Sequence, residues 1–246
     1  MAIYFISDVH LGLGPHQEER KKEDRLLAFL HTILPDTDQL FILGDLFDFW
    51  FEYATVIPKG FHRTLTALQD FTDRGIPVHY LAGNHDFWMG GYLHDEIGVQ
   101  LHTEPFEARV GDKRVFVHHG DGLAQNDLGY RMIKPVLRNR LAIRLYRLLH
   151  PDLGIRLARG SSRTSRAYTA QKDFGEEKGM LAFAREQILK GIDVVVMGHR
   201  HVPERTGIGD GVYVNLGDWI TFNTYGKLAD GVMHLETWSG QQESAR

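Results

Sequence analysis

The sequence of 246 residues contains no cysteine, which excludes disulfide bonds and metal sites built on thiolates. It also has no apolar run near the roughly 20 residues that span a bilayer. The first residues, MAIYFISDVH, lack a basic region and reach an acid at Asp8, so we expect no signal peptide. Internal repeats and low-complexity segments are missing as well. With 43% hydrophobic and 24% charged residues, the composition predicts an ordinary globular protein, and a cytoplasmic one is the default. The length suits one large domain or one domain carrying an insertion, and we expect a single domain over residues 1–246.

Acidic residues are scarce in one segment of this acidic chain. The segment from Arg131 to Lys172 holds eleven Lys or Arg and one acid, Asp152, so its net charge is +10, while the chain as a whole carries −4. Inside it, residues 138–149 read RNRLAIRLYRLL, which predicts a helix with arginines on one arc and leucines on the next, namely Arg140, Arg144 and Arg147 beside Leu141, Leu145, Leu148 and Leu149. Nucleic acid, a membrane surface or a phosphorylated ligand would each account for this charge, and so would a helix docked by its leucines with solvated arginines.

Five short apolar runs each stop at a cluster of Asp, Asn, His and Gly. Ala2–Ile6 leads into SDVH, Leu40–Leu43 into GDLFD, Val78–Leu81 into AGNHD, Val115–Val117 into HHGD and Val194–Met197 into GHRH. These runs predict buried strands. The intervening patterns over 23–33, 60–74 and 176–190 predict helices, so the alternation favours an α/β fold. In such folds, functional sites gather at the carboxyl ends of the strands.

The residue types at these strand ends indicate a metal centre. A single cluster is explained by turn chemistry, since Asx and glycine favour turns, but five strand ends with the same character are not. Asp, Asn and neutral His suit Mn²⁺, Fe²⁺ or Zn²⁺. Two such ions about 3.5–4 Å apart need a carboxylate that touches both. The pattern therefore predicts metal-assisted chemistry.

Taken together, the five motifs resemble the calcineurin-like dimetal phosphoesterases over about residues 3–220. The resemblance implies a four-layer αββα sandwich of two mixed sheets. It also implies two sets of metal ligands, with Asp8, His10 and His201 at one ion, Asn84, His119 and His199 at the other, and Asp45 bridging them.

The same resemblance assigns the remaining residues of these motifs. His85 and Asn84 would stabilise the phosphoryl charge, His85 would steady the transition state or protonate the leaving group, and Asp86 would orient the His85 imidazole. His118, on the other face of its strand from the ligand His119, would be structural.

Within this family, three features resemble the UDP-2,3-diacylglucosamine diphosphatases of lipid A synthesis. They are the run GDLFDFW, the run HGDGLAQNDLGY, and an Arg- and Leu-rich insertion that corresponds to a helical cap over residues 125–175. The resemblance implies substrate contacts at Asp127, Tyr130, Ser162, Arg163 and Arg166. One position departs from it, because the best-known members of that branch read GNRD where this chain reads GNHD at His85.

The resemblance implies hydrolysis of the pyrophosphate bond of UDP-2,3-diacylglucosamine to UMP and lipid X. The expected cofactors are two divalent ions, most simply Mn²⁺, with Fe²⁺ or Zn²⁺ as alternatives. We expect a lipid-linked nucleotide as substrate and peripheral contact with the anionic cytoplasmic face of the inner membrane, with neither nucleic acid nor an obligate protein partner. A paralogue acting on another lipid or nucleotide pyrophosphate, or a nuclease of the same superfamily, remains the alternative.

Overall fold

A computed structural model describes residues 2–124, 132, 134–136, 138–158, 160 and 175–240. Its helices are α1 (His16–Ile33), α2 (His62–Asp73), α3 (Tyr92–Asp95), α4 (Arg140–Tyr146) and α5 (Glu176–Leu189), with a further helical stretch over 151–158. Its strands are β1 (Ala2–Ile6), β2 (Thr37–Ile42), β3 (Val78–Leu81), β4 (Gln100–His102), β5 (Phe106–Val110), β6 (Lys113–His118), β7 (Val194–Met197), β8 (Pro203–Ile208), β9 (Gly211–Leu216), β10 (Thr224–Ala229) and β11 (Val232–Thr237).

The strands form two mixed sheets. The first has six strands in the order β11-β10-β1-β2-β3-β4, in which β1 to β4 run parallel and β10 and β11 are antiparallel additions. The second has the order β5-β6-β7-β9-β8, with β6, β7 and β9 parallel and an antiparallel strand at each edge. The parallel strands therefore deliver their carboxyl ends to one edge of each sheet.

Alternation along β1 shows how the sheets and helices pack into layers. Phe5 faces the second sheet in a core with Val117 and Val196, while Ile6 faces helices α1 and α2 in the other main core. The opposite faces follow from the two-residue period of a strand. On the far side of the second sheet, Met180 and Ala184 of α5 pack on residues of β7 and β9. The order of layers is helix, sheet, sheet, helix, which confirms the predicted αββα sandwich.

The predicted strands and helices are all present, with shifted ends. The helix predicted from residue 23 begins at His16, because the amphipathic pattern is preceded by polar residues, most of which are exposed on the helix surface. The six strands β4, β5 and β8 to β11 carry mixed polar sequences, and the apolar runs of the chain did not predict them.

The helix predicted over 138–149 is shorter in the structure. Helix α4 covers Arg140–Tyr146 because the Asn139 side chain accepts a hydrogen bond from the amide of Leu141 at 2.8 Å and so caps its start. Beyond Tyr146 the amides of Leu148 and Leu149 bond to carbonyls three residues back, which tightens the final turn. Within the described part of the chain, no helix has the length and apolarity to cross a membrane.

Candidate metal centre

The predicted ligand residues lie together where the parallel strands of both sheets end. Asp8 and His10 follow β1, Asp45 follows β2, Asn84 follows β3, His119 follows β6, and His199 and His201 follow β7. Among the described residues, three groups hold ligand atoms within 4.8 Å of one another, namely Asp8–His10–His201, His10–Asp45–His85 and Asp8–Asp45–His119. These three groups draw on all five motifs, and Asn84 lies beside His119 of the third group.

The backbone at these positions is strained. Seven described non-glycine residues have a left-handed φ, and five of them are predicted ligands: Asp8 (55°), His10 (49°), Asp45 (54°), His199 (69°) and His201 (58°). Such conformations cost of the order of 1–3 kcal/mol each and persist where the surrounding structure holds them. Their concentration at one point indicates that the side-chain directions, and not the local stability of the loops, determine this geometry.

The glycines that precede the ligands allow the close packing of the centre. A Cβ added at Gly83 would collide with the Asp45 carboxylate, and one added at Gly198 would collide with Asp8 and the Ser7 hydroxyl. Packing thus requires the glycine in the G-D, G-N-H and G-H motifs, because the backbone before one ligand lies against the side chain of another.

The first triad is built around Asp8, which is fully buried. Its Oδ2 accepts hydrogen bonds from the Ser7 hydroxyl and from the amide of His199 at 2.8 Å. Its Oδ1 is buried without a hydrogen-bond partner and lies 3.3 Å from Nε2 of His201 and 3.7 Å from Nε2 of His10. A buried carboxylate oxygen left unpaired costs free energy, so a cation between these three groups would satisfy it.

Asp45 lies between the two predicted ligand sets. Its Oδ2 is 3.6 Å from Nε2 of His10 on one side and 3.4 Å from Nε2 of His119 on the other. Nδ1 of His119 donates to the carbonyl of Leu43 at 2.6 Å, which leaves Nε2 as the ligand atom, 2.9 Å from Oδ1 of Asn84. The ring of His199 lies 5.1 Å from that of His119, completing the second set.

The electrostatics of the centre match sites for cations. Burial lowers the pKa of His119, but the carboxylates of Asp45 and Asp8 outweigh it and raise the value to about 10. Burial also lowers the pKa of His201, but the carboxylates of Asp8 and Asp218 outweigh it and raise the value to about 10. A proton held between an imidazole and a carboxylate occupies a position that a metal ion takes when the proton leaves. The oxygen and nitrogen donors without thiolate fit Mn²⁺, Fe²⁺ or Zn²⁺.

Contacts of Asp86 differ from the prediction that it orients His85. Its carboxylate accepts hydrogen bonds from the Tyr80 hydroxyl, from the amide of Gly83 at 2.9 Å and from that of Phe47 at 3.4 Å. Burial and the charge of Asp45 raise its pKa to about 6. The prediction about Asp86 was wrong because its carboxylate turns under the strand-end loop, where it ties β3 to the loop after β2.

Asp48 makes the contact that was assigned to Asp86. Nδ1 of His85 lies 3.3 Å from the carbonyl oxygen of Asp48 and 3.8 Å from its carboxylate, and that carboxylate is also 3.5 Å from Nδ1 of His10. Sequence reasoning missed Asp48, although it stands three residues after Asp45 in the run GDLFD. The His85 amide also donates to Asp45 at 2.9 Å, so His85 is fixed at both backbone and ring.

One further carboxylate, that of Asp218, supports a predicted ligand and was missed by the sequence reasoning. Asp218, after β9, lies 3.3 Å from Nδ1 of His201, and its other oxygen accepts the amides of residues 220–222. A carboxylate behind a ligating histidine fixes the direction of its ring.

His118 was expected on the opposite face of its strand from His119. Its ring packs near Phe183 of α5, and its Nδ1 accepts the amide of Gly120 at 2.7 Å.

The described part of the inserted segment attaches to the core at two points. Lys134 pairs with Asp121 at 2.7 Å, and Arg138 lies 3.6 Å from the same carboxylate and donates to the carbonyl of Gly83 at 3.3 Å. The Tyr146 ring lies 4.9 Å from Phe51 and 4.6 Å from Trp88, in loops that follow the ligand motifs. The predicted substrate contacts lie outside the described residues: Asp127, Tyr130, Ser162, Arg163 and Arg166.

Known proteins resemble this chain in sequence and in fold. The family model for calcineurin-like phosphoesterases matches residues 1–203. A UDP-2,3-diacylglucosamine hydrolase of Porphyromonas gingivalis is 34% identical over 96% of this chain and 97% of its own length. A UDP-2,3-diacylglucosamine hydrolase of Pseudomonas fluorescens is 31% identical over 88% and 87% of the two chains. A solved archaeal phosphodiesterase shares the fold at a TM-score of 0.50 and 14% identity, over 96% of this chain and 99% of its own.

Proposed function

This chain belongs to the calcineurin-like phosphoesterase family, and on that premise we propose that it hydrolyses the pyrophosphate bond of UDP-2,3-diacylglucosamine in lipid A biosynthesis. The products are UMP and 2,3-diacylglucosamine 1-phosphate (lipid X). The observation that carries the proposal is the full-length similarity to hydrolases of this substrate. One water is consumed: its oxygen bonds to a phosphorus as the P–O bond of the anhydride breaks. The leaving phosphate keeps the electron pair of that bond, and the protons of the water pass to the phosphate products and to solvent.

The proposed cofactors are two divalent cations, Mn²⁺ in preference to Fe²⁺ or Zn²⁺. Asp8, His10 and His201 would hold one, and Asn84, His119 and His199 the other, with Asp45 reaching both. When bound, such a pair lowers the pKa of a shared water to supply hydroxide and neutralises charge on the phosphoryl group. The geometry supports the bridging role, because one oxygen of Asp45 faces an imidazole of each set.

His85 and Asn84 are the proposed groups at the reacting phosphate. Asp48 holds Nδ1 of His85, which sets the direction of the ring, and the ring lies 4.8 Å from that of His10 at the edge of the centre. An imidazole so placed can donate a hydrogen bond to a phosphoryl oxygen or give its proton to the leaving group. Relatives with Arg at this position would offer a fixed charge there, whereas His85 offers a transferable proton.

A lipid substrate is supported by the apolar surface of the inserted segment. Five of its leucines are strongly exposed: Leu141 (63%), Leu145 (58%), Leu148 (82%), Leu153 (47%) and Leu157 (53%). Exposure of this extent argues against a leucine face docked on the core, and such patches mark contacts with ligands, partners or membranes. The aromatic contact of Tyr146 holds this surface near the loops of the metal centre, so acyl chains could lie on it while the pyrophosphate reaches the metals.

Part of the basic charge serves the fold and not the substrate. Lys134 and Arg138 face Asp121 and the backbone of the core, whereas Arg144, Arg147 and Arg156 are exposed beside the leucines. Exposed arginines and leucines on adjacent positions suit an anionic lipid surface. We propose that the enzyme acts in the cytoplasm, in peripheral contact with the cytoplasmic face of the inner membrane, and these exposed residues support the proposal. Substrate contacts at Asp127, Tyr130, Ser162, Arg163 and Arg166 remain predictions.

An assay of the purified protein with Mn²⁺ tests the proposed substrate. Release of UMP from UDP-2,3-diacylglucosamine is compared with turnover of UDP-glucose and of a short single-stranded DNA, and Asp45→Ala, which loses the carboxylate shared by the two sets, serves as the inactive control. We expect turnover of the lipid substrate alone. Turnover of DNA alone would contradict the proposal and favour the nuclease, while turnover of UDP-glucose at the same rate would show that the acyl chains are not recognised.

A further inference from the structure

Lys22 of helix α1 is buried next to the metal centre, although it belongs to none of the five motifs. Only 6% of its surface is exposed. A buried ammonium group is costly unless it is paired and hydrogen-bonded. Its neighbour Lys21 is exposed on the same helix, as lysine usually is. The burial of Lys22 therefore needs a reason in its contacts.

Both contacts of the Lys22 ammonium lead to the loop that carries His10. Its Nζ donates to the carbonyl oxygen of His10 at 2.6 Å and lies 3.0 Å from Oε1 of Glu19, one turn earlier on α1. Glu19 in turn accepts the amide of Gly12 at 2.7 Å and that of Gly14 at 2.8 Å. The ion pair is thus neutral as a unit and holds the loop from residue 10 to residue 14 at three backbone groups.

His10 needs such support because its backbone is strained. Its φ of 49° lies in the left-handed region, where a residue with a Cβ is held only by its surroundings. Its amide donates to the carbonyl of Asp45 at 2.9 Å, and its carbonyl receives the charge-assisted hydrogen bond of Lys22. The two bonds fix the peptide groups on either side of the His10 Cα, and therefore the direction in which its Cα–Cβ bond leaves the backbone.

The direction of this side chain decides one metal site and not the other. Nε2 of His10 lies 3.2 Å from Nε2 of His201 and 3.7 Å from Oδ1 of Asp8. The second set, with Asn84 and His119, is held instead by the Leu43 carbonyl and by the loops after β3 and β6. A rotation at His10 would open the first set while leaving these contacts in place.

We propose that Lys22, neutralised by Glu19, is a positioning residue that holds His10 in its ligand conformation and thereby supports the metal ion held by Asp8, His10 and His201. The inference rests on the proposed dimetal centre. Because the support acts on one set, loss of Lys22 weakens one of two metal ions selectively. A role in fold stability alone would lower the melting temperature without such selectivity.

The test is Mn²⁺ binding to chelator-treated protein by titration calorimetry, together with the electron paramagnetic resonance signal of the exchange-coupled pair. The variants are Lys22→Met, which keeps the length of the chain and removes the charge, and Lys21→Met as the matched control on the exposed side of α1. We expect Lys22→Met to lose about 10–100-fold in affinity for one Mn²⁺, to keep the other and to lose the coupled signal. Lys21→Met should bind two ions as the wild type does.

Several results would overturn the inference. One is a Lys22→Met protein that binds two Mn²⁺ with the affinities of the wild type. Another is a Lys22→Met protein in which both Mn²⁺ affinities fall equally and the melting temperature is lower. If Lys22→Met does not fold, Glu19→Gln decides by the same criteria, because it keeps the size of the side chain and removes the neutralising charge. Fewer than two Mn²⁺ in the wild-type protein would instead overturn the proposed dimetal centre, which is a different result from two intact sites in Lys22→Met.

Discussion

Replacing Gly44 with Ala tests whether the close packing of strand-end loops, and not the ligand side chains alone, builds the metal centre. Gly44 has a φ of 85°, and an added Cβ would lie 2.6 Å from Cα of Gly83 and 2.7 Å from Nδ1 of His119. Ordinary carbon contacts are about 3.5–4.0 Å, so these groups must separate by about 1 Å. Metal coordination tolerates about 0.2 Å, so the displaced His119 and the loop before Asn84 would lose an ion.

Gly75→Ala is the matched control for this substitution. Gly75 has a similar φ of 75°, but an added Cβ would meet nothing within 4 Å. Both variants pay about 1–2 kcal/mol for a left-handed alanine, and Gly44→Ala adds about 1–3 kcal/mol for overpacking. In urea, the free energy of unfolding of Gly44→Ala should therefore be about 1–3 kcal/mol lower than that of Gly75→Ala. Calorimetry should find two bound Mn²⁺ in Gly75→Ala but fewer in Gly44→Ala. Equal stability and equal metal content in the two variants would refute the packing argument.

Three further predictions follow from individual contacts. Asp45→Ala removes the carboxylate that faces both ligand sets, and we expect hydrolysis to fall by at least about 1,000-fold while elemental analysis finds fewer than two ions; retained turnover would contradict the bridge. Burial and the neighbouring His102 lower the pKa of His79 to about 4. The unfolded chain therefore binds this proton at a higher pH than the folded chain, and the free energy of unfolding falls as the pH drops from about 6.5 to about 4. His79→Phe should reduce the slope of the free energy of unfolding against pH in this range, and an unchanged slope would contradict the prediction. The double variant Leu145→Ser and Leu148→Ser should sediment less with anionic vesicles but should still hydrolyse a small phosphodiester. If vesicle binding and hydrolysis fall equally, these leucines support the fold and not the membrane contact.

The sequence alone determined the chemistry of the centre. Five predicted ligands stand two or three residues after the end of an apolar run, namely Asp8, Asp45, Asn84, His119 and His199. Parallel strands deliver the residues that follow them to one edge of the sheet. Residue type and position therefore predicted an α/β fold with a metal centre at the strand ends, and the resemblance to calcineurin-like phosphoesterases added the αββα layers and the two ligand sets. Strands β8 to β11 were not predicted in this way, because their sequences mix polar and apolar residues. They form two hairpins, β8–β9 and β10–β11, which join the sheets through β7 and β1.

Only the tertiary structure decided which groups support the ligands. Asp86 adjoins His85 in sequence, yet its carboxylate turns to Tyr80 and backbone amides, and Asp48 from another loop takes its place at the imidazole. In the sequence, Lys134 and Lys22 likewise resemble surface lysines, but in the structure their ammonium groups pair with Asp121 and Glu19. The physical reason is that a strand fixes where its last residue emerges, whereas a hydrogen bond between loops depends on distances that arise only when the two sheets have packed.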